Sequence, residues 1–414
     1  MATTSTAAAT LWLSCHVDYA CRHSGACCRA GWPLPVERGA AAAIAGAVAS
    51  RRLTTVDGDV IWLRETAEAP EGMAGTFRLV DGACAFHVPR GPRPGSAAGG
   101  RHCAVHATLG QQALPASCQH FPRICLIDAR GVRVSLSMAC PTAAALVVDE
   151  TRPVAIVAGP RALPGVAVPE GLDARDQLPP RLSRRVLMDL DGLSAWEAHV
   201  VAALAGPAAV ATAPEVVLSG LAAQAAALSR WMPGRAPLAE AITALGLPPT
   251  AGAASLPTAG ASSLPPTAGA ASPSTAGCAA PSAAWPLDAA QALLRVACPP
   301  EWRWTPLPDD LAAADAAWVA PRWHGVAPAV RRYLAARAFG AWMAYQADAA
   351  EGLISWLHLA LTVLRAECGR ACAAARSPLD RDRLIAALGC TDRLLLHYAD
   401  GLRLAGGLLT RAGA

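Results

Sequence analysis

Phe121-Pro122-Arg123-Ile124-Cys125-Leu126-Ile127-Asp128-Ala129-Arg130-Gly131-Val132-Arg133-Val134-Ser135-Leu136 is the stretch on which the fold turns. Two β-rich runs, Ile124–Asp128 and Val132–Leu136, flank Ala129-Arg130-Gly131, and that punctuation predicts a β-hairpin. Downstream, Cys140-Pro141 places a proline at the first turn of a helix over Pro141–Val148. Upstream, Val60–Leu63 and Thr76–Val80 have strand character, as does Val132–Met138 around the hairpin's second arm. Asp57-Gly58 and Asp81-Gly82 break the chain between the upstream runs. Ala40–Ser50 reads as a helix, and Pro89–Gly100 as a Gly/Pro/Ser-rich insertion.

From about Leu182 the period changes from 2 to 3.6. Ser183–Asp191, Ser194–Leu204, Pro214–Trp231 and Pro237–Leu245 can each be drawn as amphipathic helices bounded by Pro or Gly. Thr250-Ala251-Gly252 then recurs as Thr258-Ala259-Gly260, Thr267-Ala268-Gly269 and Thr275-Ala276-Gly277. So short a repeat, almost without large apolar residues, predicts a disordered linker over 247–286. A second helical series follows: Ala327–Ala350, Leu353–Ala375, Leu379–Leu388 and Thr391–Leu408. Its aromatic residues, among them Trp323, Tyr333, Phe339, Trp342 and Trp356, read as helix-bundle core, with a binding pocket for an aromatic ring as the alternative. The expected fold is α+β: a small Cys-rich metal-binding N-terminal domain followed by a mainly α-helical C-terminal domain. Its parts are 1–150, the Cys-rich domain; 151–246, helical; 247–286, linker; and 287–414, helical.

The chain has 414 residues, 35 of them basic and 31 acidic, for a net charge of +4. At about 150 residues per domain that length predicts two to three domains. All 35 basic residues are Arg, since Lys is absent. That excludes a lysine nucleophile, a Schiff base and a P-loop lysine. So small and dispersed a charge argues against nucleic-acid binding. Apolar runs fall short of a spanning helix, and Ala7–Ser14 lacks the basic flank of a secretory signal. The expectation is a soluble, cytoplasmic protein.

Nine of the 14 Cys fall within the first 140 residues. In a cytosolic chain such local clustering argues for metal or redox chemistry over a disulfide scaffold. Cys21, Cys27 and Cys28 surround Gly25 in one tight loop. Cys84, Cys103, Cys118 and Cys140 follow beside turn-forming or aromatic residues. Thiolate is a soft ligand suited to zinc or an iron–sulfur cluster, although the spacing fits no standard zinc-finger or ferredoxin pattern. Cys125 reads as strand core, and Cys368 and Cys372, four apart, as helix packing. His87 and His106, each three residues after a Cys, could complete Cys/His zinc pairs or simply hydrogen-bond. Arg123 either holds an anionic group near the cluster or forms an ordinary salt bridge.

These motifs carry a resemblance. Cys21…Cys27-Cys28, Cys84-Ala85-Phe86, Cys103-Ala104-Val105-His106, Leu114–Cys118 and Phe121-Pro122-Arg123 are similar to the YkgJ-type cysteine-cluster family, described as a zinc- or iron-chelating domain. Gly31–Val36, Leu109-Gly110 and Ser135–Ala144 resemble in particular its flagellin lysine-N-methylase branch. The match covers about residues 15–150, with Arg331-Arg332-Tyr333-Leu334 and Trp342–Gln346 fitting more loosely. The resemblance implies methylation of lysine side chains on a partner protein such as flagellin. S-adenosylmethionine would be the donor, with an iron–sulfur cluster or zinc held by Cys21, Cys27, Cys28, Cys84, Cys103, Cys118 and Cys140. One position departs from the pattern: Ser24 stands where the fullest form has Cys, and a hydroxyl is a poor ligand for a soft metal. Neither a Gly-rich methyl-donor loop nor a Cys-x3-Cys-x2-Cys pattern is present. The competing expectations are a non-catalytic zinc- or iron-binding interaction module and a metal-handling or redox protein.

Overall fold

The computed structural model describes residues 9–412 except 33, 66–70, 89–102, 165, 167–168, 184, 208–211, 235, 248–284, 301–302 and 348–349. Strands concentrate in the first 190 or so residues and helices dominate beyond them, an α+β architecture. The expected insertion at Pro89–Gly100 and all but the ends of the expected linker lie outside the described residues. Among the described residues, no helix is long and apolar enough to cross a membrane.

The hairpin forms as expected. Strand β2 (Arg123–Asp128) pairs antiparallel with β3 (Gly131–Leu136), from Arg123 opposite Leu136 to Asp128 opposite Gly131. The Asp128 carboxylate accepts the Arg130 backbone N–H at 2.8 Å, a local bond that fixes the two-residue turn. Around this hairpin a five-stranded sheet assembles in the order β5-β2-β3-β1-β4, where β1 is Thr10–Leu13, β4 Ile156–Ala158 and β5 Leu172–Asp173. The N-terminal β1 lies parallel to β3, with Thr10 opposite Val132 and Trp12 opposite Val134, and antiparallel to β4.

Gly131 makes that closure feasible. It sits at φ +117°, and a Cβ there would stand 2.4 Å from the Ala9 carbonyl oxygen. The same oxygen accepts the Val132 N–H at 2.9 Å. Backbone on both sides leaves nothing to yield, so Gly131→Ala is expected to cost about 2–4 kcal/mol. The urea midpoint reads this directly, and an unchanged midpoint would refute the tight approach.

Helices α1 (Leu190–Ala205), α2 (Pro214–Leu228), α3 (Ala320–Ala338), α4 (Ala350–Ala375) and α5 (Arg381–Asp392) cover the sheet. Trp12, Cys125 and Leu136 of the sheet share one core with Trp196, Leu218, Tyr333, Leu357 and Leu388 of the helices. Cys368 and Cys372 are buried in that core on α4, and Cys125 is buried in β2. Arg332 on α3 caps the helix Pro141–Val148. Its Nε donates to the Val147 carbonyl at 2.7 Å and its guanidinium also reaches the carbonyls of Asp149 and Arg152. Val147 and Asp149 are carbonyls that the helix end leaves unpaired, and Arg152 lies in the turn that follows.

Two departures from the helical reading have local causes. The expected helix over Ser183–Asp191 is instead a two-stranded ribbon, Arg181–Ser183 against Val186–Leu187. The helix waits for Asp189, whose carboxylate accepts the Gly192 N–H as a true N-cap. The expected helix over Ala327–Ala350 breaks after Ala338, because Gly340 turns left-handed at φ +60° and donates its N–H to Glu197 Oε1 at 3.0 Å.

A second, smaller core joins Val36, Ile44, Leu53, Trp62, Phe77 and Phe86 to Cys28 and Cys84. Phe77 meets Phe86 edge-on at 5.7 Å, and Trp62 packs on both rings. Interlocked aromatic rings hold this part of the chain together, so the expectation of a metal-organised Cys-rich domain gives way to an apolar one.

Candidate functional site

The loop at 24–29 winds into a short 3₁₀ turn at Cys27–Arg29, entered through Gly25 at φ +70°. The Cys28 N–H bonds back to the Gly25 carbonyl at 3.1 Å, which sets the two neighbouring sulfurs 4.0 Å apart. Ser24 serves this turn: its hydroxyl accepts the Ala26 N–H at 3.4 Å. From the opposite side comes Cys103, whose sulfur accepts the His106 N–H at 3.5 Å. Cys103 packs against the small core in which Cys28 is buried.

The sulfurs divide by protonation. Hydrogen bonds to Cys103 and Cys27, with burial, push the Cys28 thiol far up, so that it keeps its proton. The Cys28 hydrogen bond lowers Cys103 to about 7 and also lowers Cys27. Burial raises Cys84 to about 12 and Cys118 well above an ordinary thiol. Cys21 is exposed beside His23, while Cys140 stands 3.5 Å from the Tyr19 hydroxyl. The His106 and His23 rings pack at a tilt, 4.8 Å apart, and His87 bridges backbone to Cys103.

Among the described residues, no group of three or more His, Cys, Asp or Glu side chains is placed to hold a metal ion. Ligation needs deprotonated sulfurs converging on one point. Here Cys28 and Cys84 are buried in the small apolar core, Cys21 is exposed, and Cys140 belongs to the other core, 3.5 Å from the Tyr19 hydroxyl. No family model matches the chain, nor does any curated protein or any solved structure. These findings correct the expectations built on the motifs. Membership of the cysteine-cluster family, the iron–sulfur or zinc cofactor, S-adenosylmethionine and lysine methylation are not supported, nor is a zinc- or iron-holding interaction module.

Beside the thiols opens a cleft of about 630 Å³ between the N-terminal segments and the C-terminal helices. That volume suits a small organic ligand. Trp32 and Phe121 form one wall, their rings 5.5 Å apart, and His397 packs on Trp32 at 4.7 Å. His397 and Tyr398 reach the cleft because the chain widens into a π-type turn at Arg393–Tyr398. The Tyr398 hydroxyl donates to the Ala30 carbonyl at 2.7 Å and ties that turn to the Cys27 loop. Trp342 and Trp356 line the helical side, and Cys27 and Cys118 are among the lining residues.

The polar groups of this cleft are mostly donors. Arg123 sits half-buried over the Tyr19 ring at 5.4 Å, and no carboxylate among the described residues pairs with it. Burial lowers its pKa, the mark of a cation short of compensation. The Nε–H groups of Arg123 and Arg337 and the indole N–H groups of Trp32 and Trp356 have no partner among the described residues. Arg337 is otherwise engaged, with Ser135 Oγ at 3.2 Å and Asp392 at 3.4 Å. Among the described residues the one carboxylate lining the cleft is Glu170, whose pKa is raised by burial and by Glu37. His397 is neutral, lowered to about 4 by burial and by Arg337 and Arg393, and bonds Ser137 Oγ at 2.8 Å.

Of the residues expected to act, Arg123, Cys27 and Cys118 are at this cleft. Trp32, Arg337, Trp356 and His397 were not singled out as site residues. Their one visible signal is that Trp32 and Phe121 flank the cysteine motifs in the sequence.

Proposed function

We propose that the protein binds a small, flat, anionic organic molecule in this cleft, with Arg123 as the anchor for its negative group. The observation that carries the reading is Arg123 itself: a half-buried guanidinium in an aromatic-walled cleft, with no carboxylate partner. A carboxylate or phosphate matches the planar fork of its N–H groups. The unpartnered indole and guanidinium N–H groups favour a ligand rich in acceptors, because buried donors left unpaired are costly. Trp32, Phe121, Trp342 and Trp356 favour a ring system as its body.

Quenching of tryptophan fluorescence by 2-naphthoate and by the neutral 2-naphthamide tests this. The carboxylate is expected to bind more tightly. Arg123→Gln should remove about 1.5–3 kcal/mol, raising its Kd roughly 10- to 150-fold while leaving the amide unaffected. Equal affinity of the wild-type protein for acid and amide would sink the assignment.

A further inference from the structure

We propose that Cys27 and Cys28 form a vicinal dithiol site that captures trivalent aryl arsenicals, the aryl group lying in the aromatic-walled cleft. The site does not depend on an anion at Arg123, because the captured group is neutral.

The two sulfurs are hydrogen-bonded at 4.0 Å. Adjacency in the chain does not bring this about, since neighbouring side chains of an extended segment point to opposite faces. The turn does. Gly25 enters it at φ +70°, and the Cys28 and Arg29 N–H groups both close on the Gly25 carbonyl, at 3.1 and 3.2 Å. Cys27 is half-buried and lines the cleft with Trp32 and Phe121, whereas Cys28 is buried in the small apolar core. An electrophile arriving through the cleft therefore meets Cys27 first and finds the second sulfur beside it. The pair is poorly placed to close on itself as a disulfide. Consecutive Cα atoms are about 3.8 Å apart, below the roughly 4.4–6.8 Å that disulfides span. One atom inserted between the sulfurs relaxes that constraint. Arsenic in an aryl arsenical is soft and three-coordinate and brings its own carbon as one substituent, so two thiols complete it where a zinc ion would need more protein groups.

With phenylarsine oxide the exchange needs no oxidant. The Cys27 sulfur attacks arsenic; an As–S bond forms, and the thiol proton passes to the oxide oxygen to give an As–OH group. The Cys28 sulfur then attacks the same arsenic. A second As–S bond forms, the As–O bond breaks, and the leaving hydroxide takes the Cys28 proton as water. Two thiols and one arsine oxide give one cyclic dithioarsinite and one water, with arsenic trivalent throughout. The second bond closes within the chain, so the turn sets the effective concentration of its sulfur.

The reduced full-length chain, given one equivalent of phenylarsine oxide, blocked with iodoacetamide and cut with trypsin, reads this out by mass spectrometry. Cleavage at Arg22 and Arg29 releases peptide 23–29, which holds both cysteines. The expected product is that peptide with neither cysteine alkylated and heavier by one phenylarsine oxide less one water. Titration with 2,3-dimercaptopropanol, which strips the arsenical, measures how tightly it is held. Retention should fall at least about tenfold in Cys27→Ser and in Cys28→Ser, where ring closure is lost, and stay unchanged in Cys103→Ser and Cys118→Ser. The folded chain should also hold the arsenical about tenfold more tightly than a synthetic peptide 23–29, because the turn pre-sets the two sulfurs. Arsenic on another peptide of the wild-type protein, or bridging 23–29 to one, overturns the proposal whether or not any variant folds. So does equal retention by the folded chain and the synthetic peptide.

Discussion

Glu197→Ala is expected to destabilise the fold by about 3–5 kcal/mol, among the largest effects of any single side chain here. Glu197 reaches from α1 to the hairpin, where its Oε2 accepts Arg133 Nε at 2.7 Å and lies 3.5 Å from Arg130. Its other oxygen accepts the Gly340 N–H, so one carboxylate joins three parts of the chain. Asp128 shares both arginines, at 2.7 Å to Arg130 and 3.3 Å to Arg133, and accepts the Tyr345 hydroxyl at 2.9 Å. Removing Glu197 leaves two buried guanidinium groups with a single carboxylate, and an uncompensated buried charge costs about that much. Replacing the pair together, Glu197→Leu with Arg133→Met, should recover much of the loss, since a buried ion pair is often no better than apolar packing. Urea unfolding of the three variants measures this. A loss under about 1 kcal/mol in Glu197→Ala would show that the network is not holding the sheet to the helices.

Acid should unfold the protein through two histidines. His16 is fully buried with neither ring nitrogen bonded, and burial, then Arg337 and Arg332, lower it to about 3. His397 is lowered to about 4. An unfolded histidine titrates near 6.5. Between about pH 6.5 and 4 the unfolded chain therefore binds protons that the folded chain refuses. Stability contributed by the neutral rings is full above pH 6.5 and is lost as the pH falls through that window. The loss is on the order of 3 kcal/mol per histidine by pH 4. Asp392, Glu367 and Glu170 act in the opposite sense, because burial raises each of them and protonation relieves its folded form. Comparing variants separates the two groups: unfolding free energies from pH 7.5 to 4.5 should slope less steeply in His16→Gln and in His397→Gln than in the wild type. Parallel slopes would place the acid sensitivity elsewhere.

The hairpin was legible because its turn residues and β-branched runs are local signals, and local signals survive in a linear string. The helix at Pro141–Val148 was legible for the same reason, with proline at its first turn. The ribbon at 181–187 was not, although Asp189 carried a capping signal that marked the true helix start. In β3 the alternation of Val132, Arg133, Val134 and Ser135 locates a strand. It does not say that the polar face is also covered, Arg133 by Glu197 and Ser135 by the Ala336 carbonyl at 2.9 Å. The cysteine motifs misled because order along the chain does not fix where a sulfur points or whether it keeps its proton. The cleft draws Trp32, Arg123, Arg337, Trp356 and His397 from separate segments, and no periodicity connects them. Arg123 alone among these was marked beforehand as a holder of negative charge.

The parallel pairing of β1 with β3 has a consequence for biosynthesis. Strand β1 leaves the ribosome ahead of its parallel partner, since Val132, opposite Thr10, is about 120 residues downstream. At about 5–20 residues per second that is a wait of roughly 6–24 s. Ser135 then needs the Ala336 carbonyl, a further 201 residues along. Until α3 is made, the nascent chain thus carries apolar strands without that covering helix. Trp12 and Leu13 wait uncovered over that interval, and slowed translation between the hairpin and α3 prolongs it.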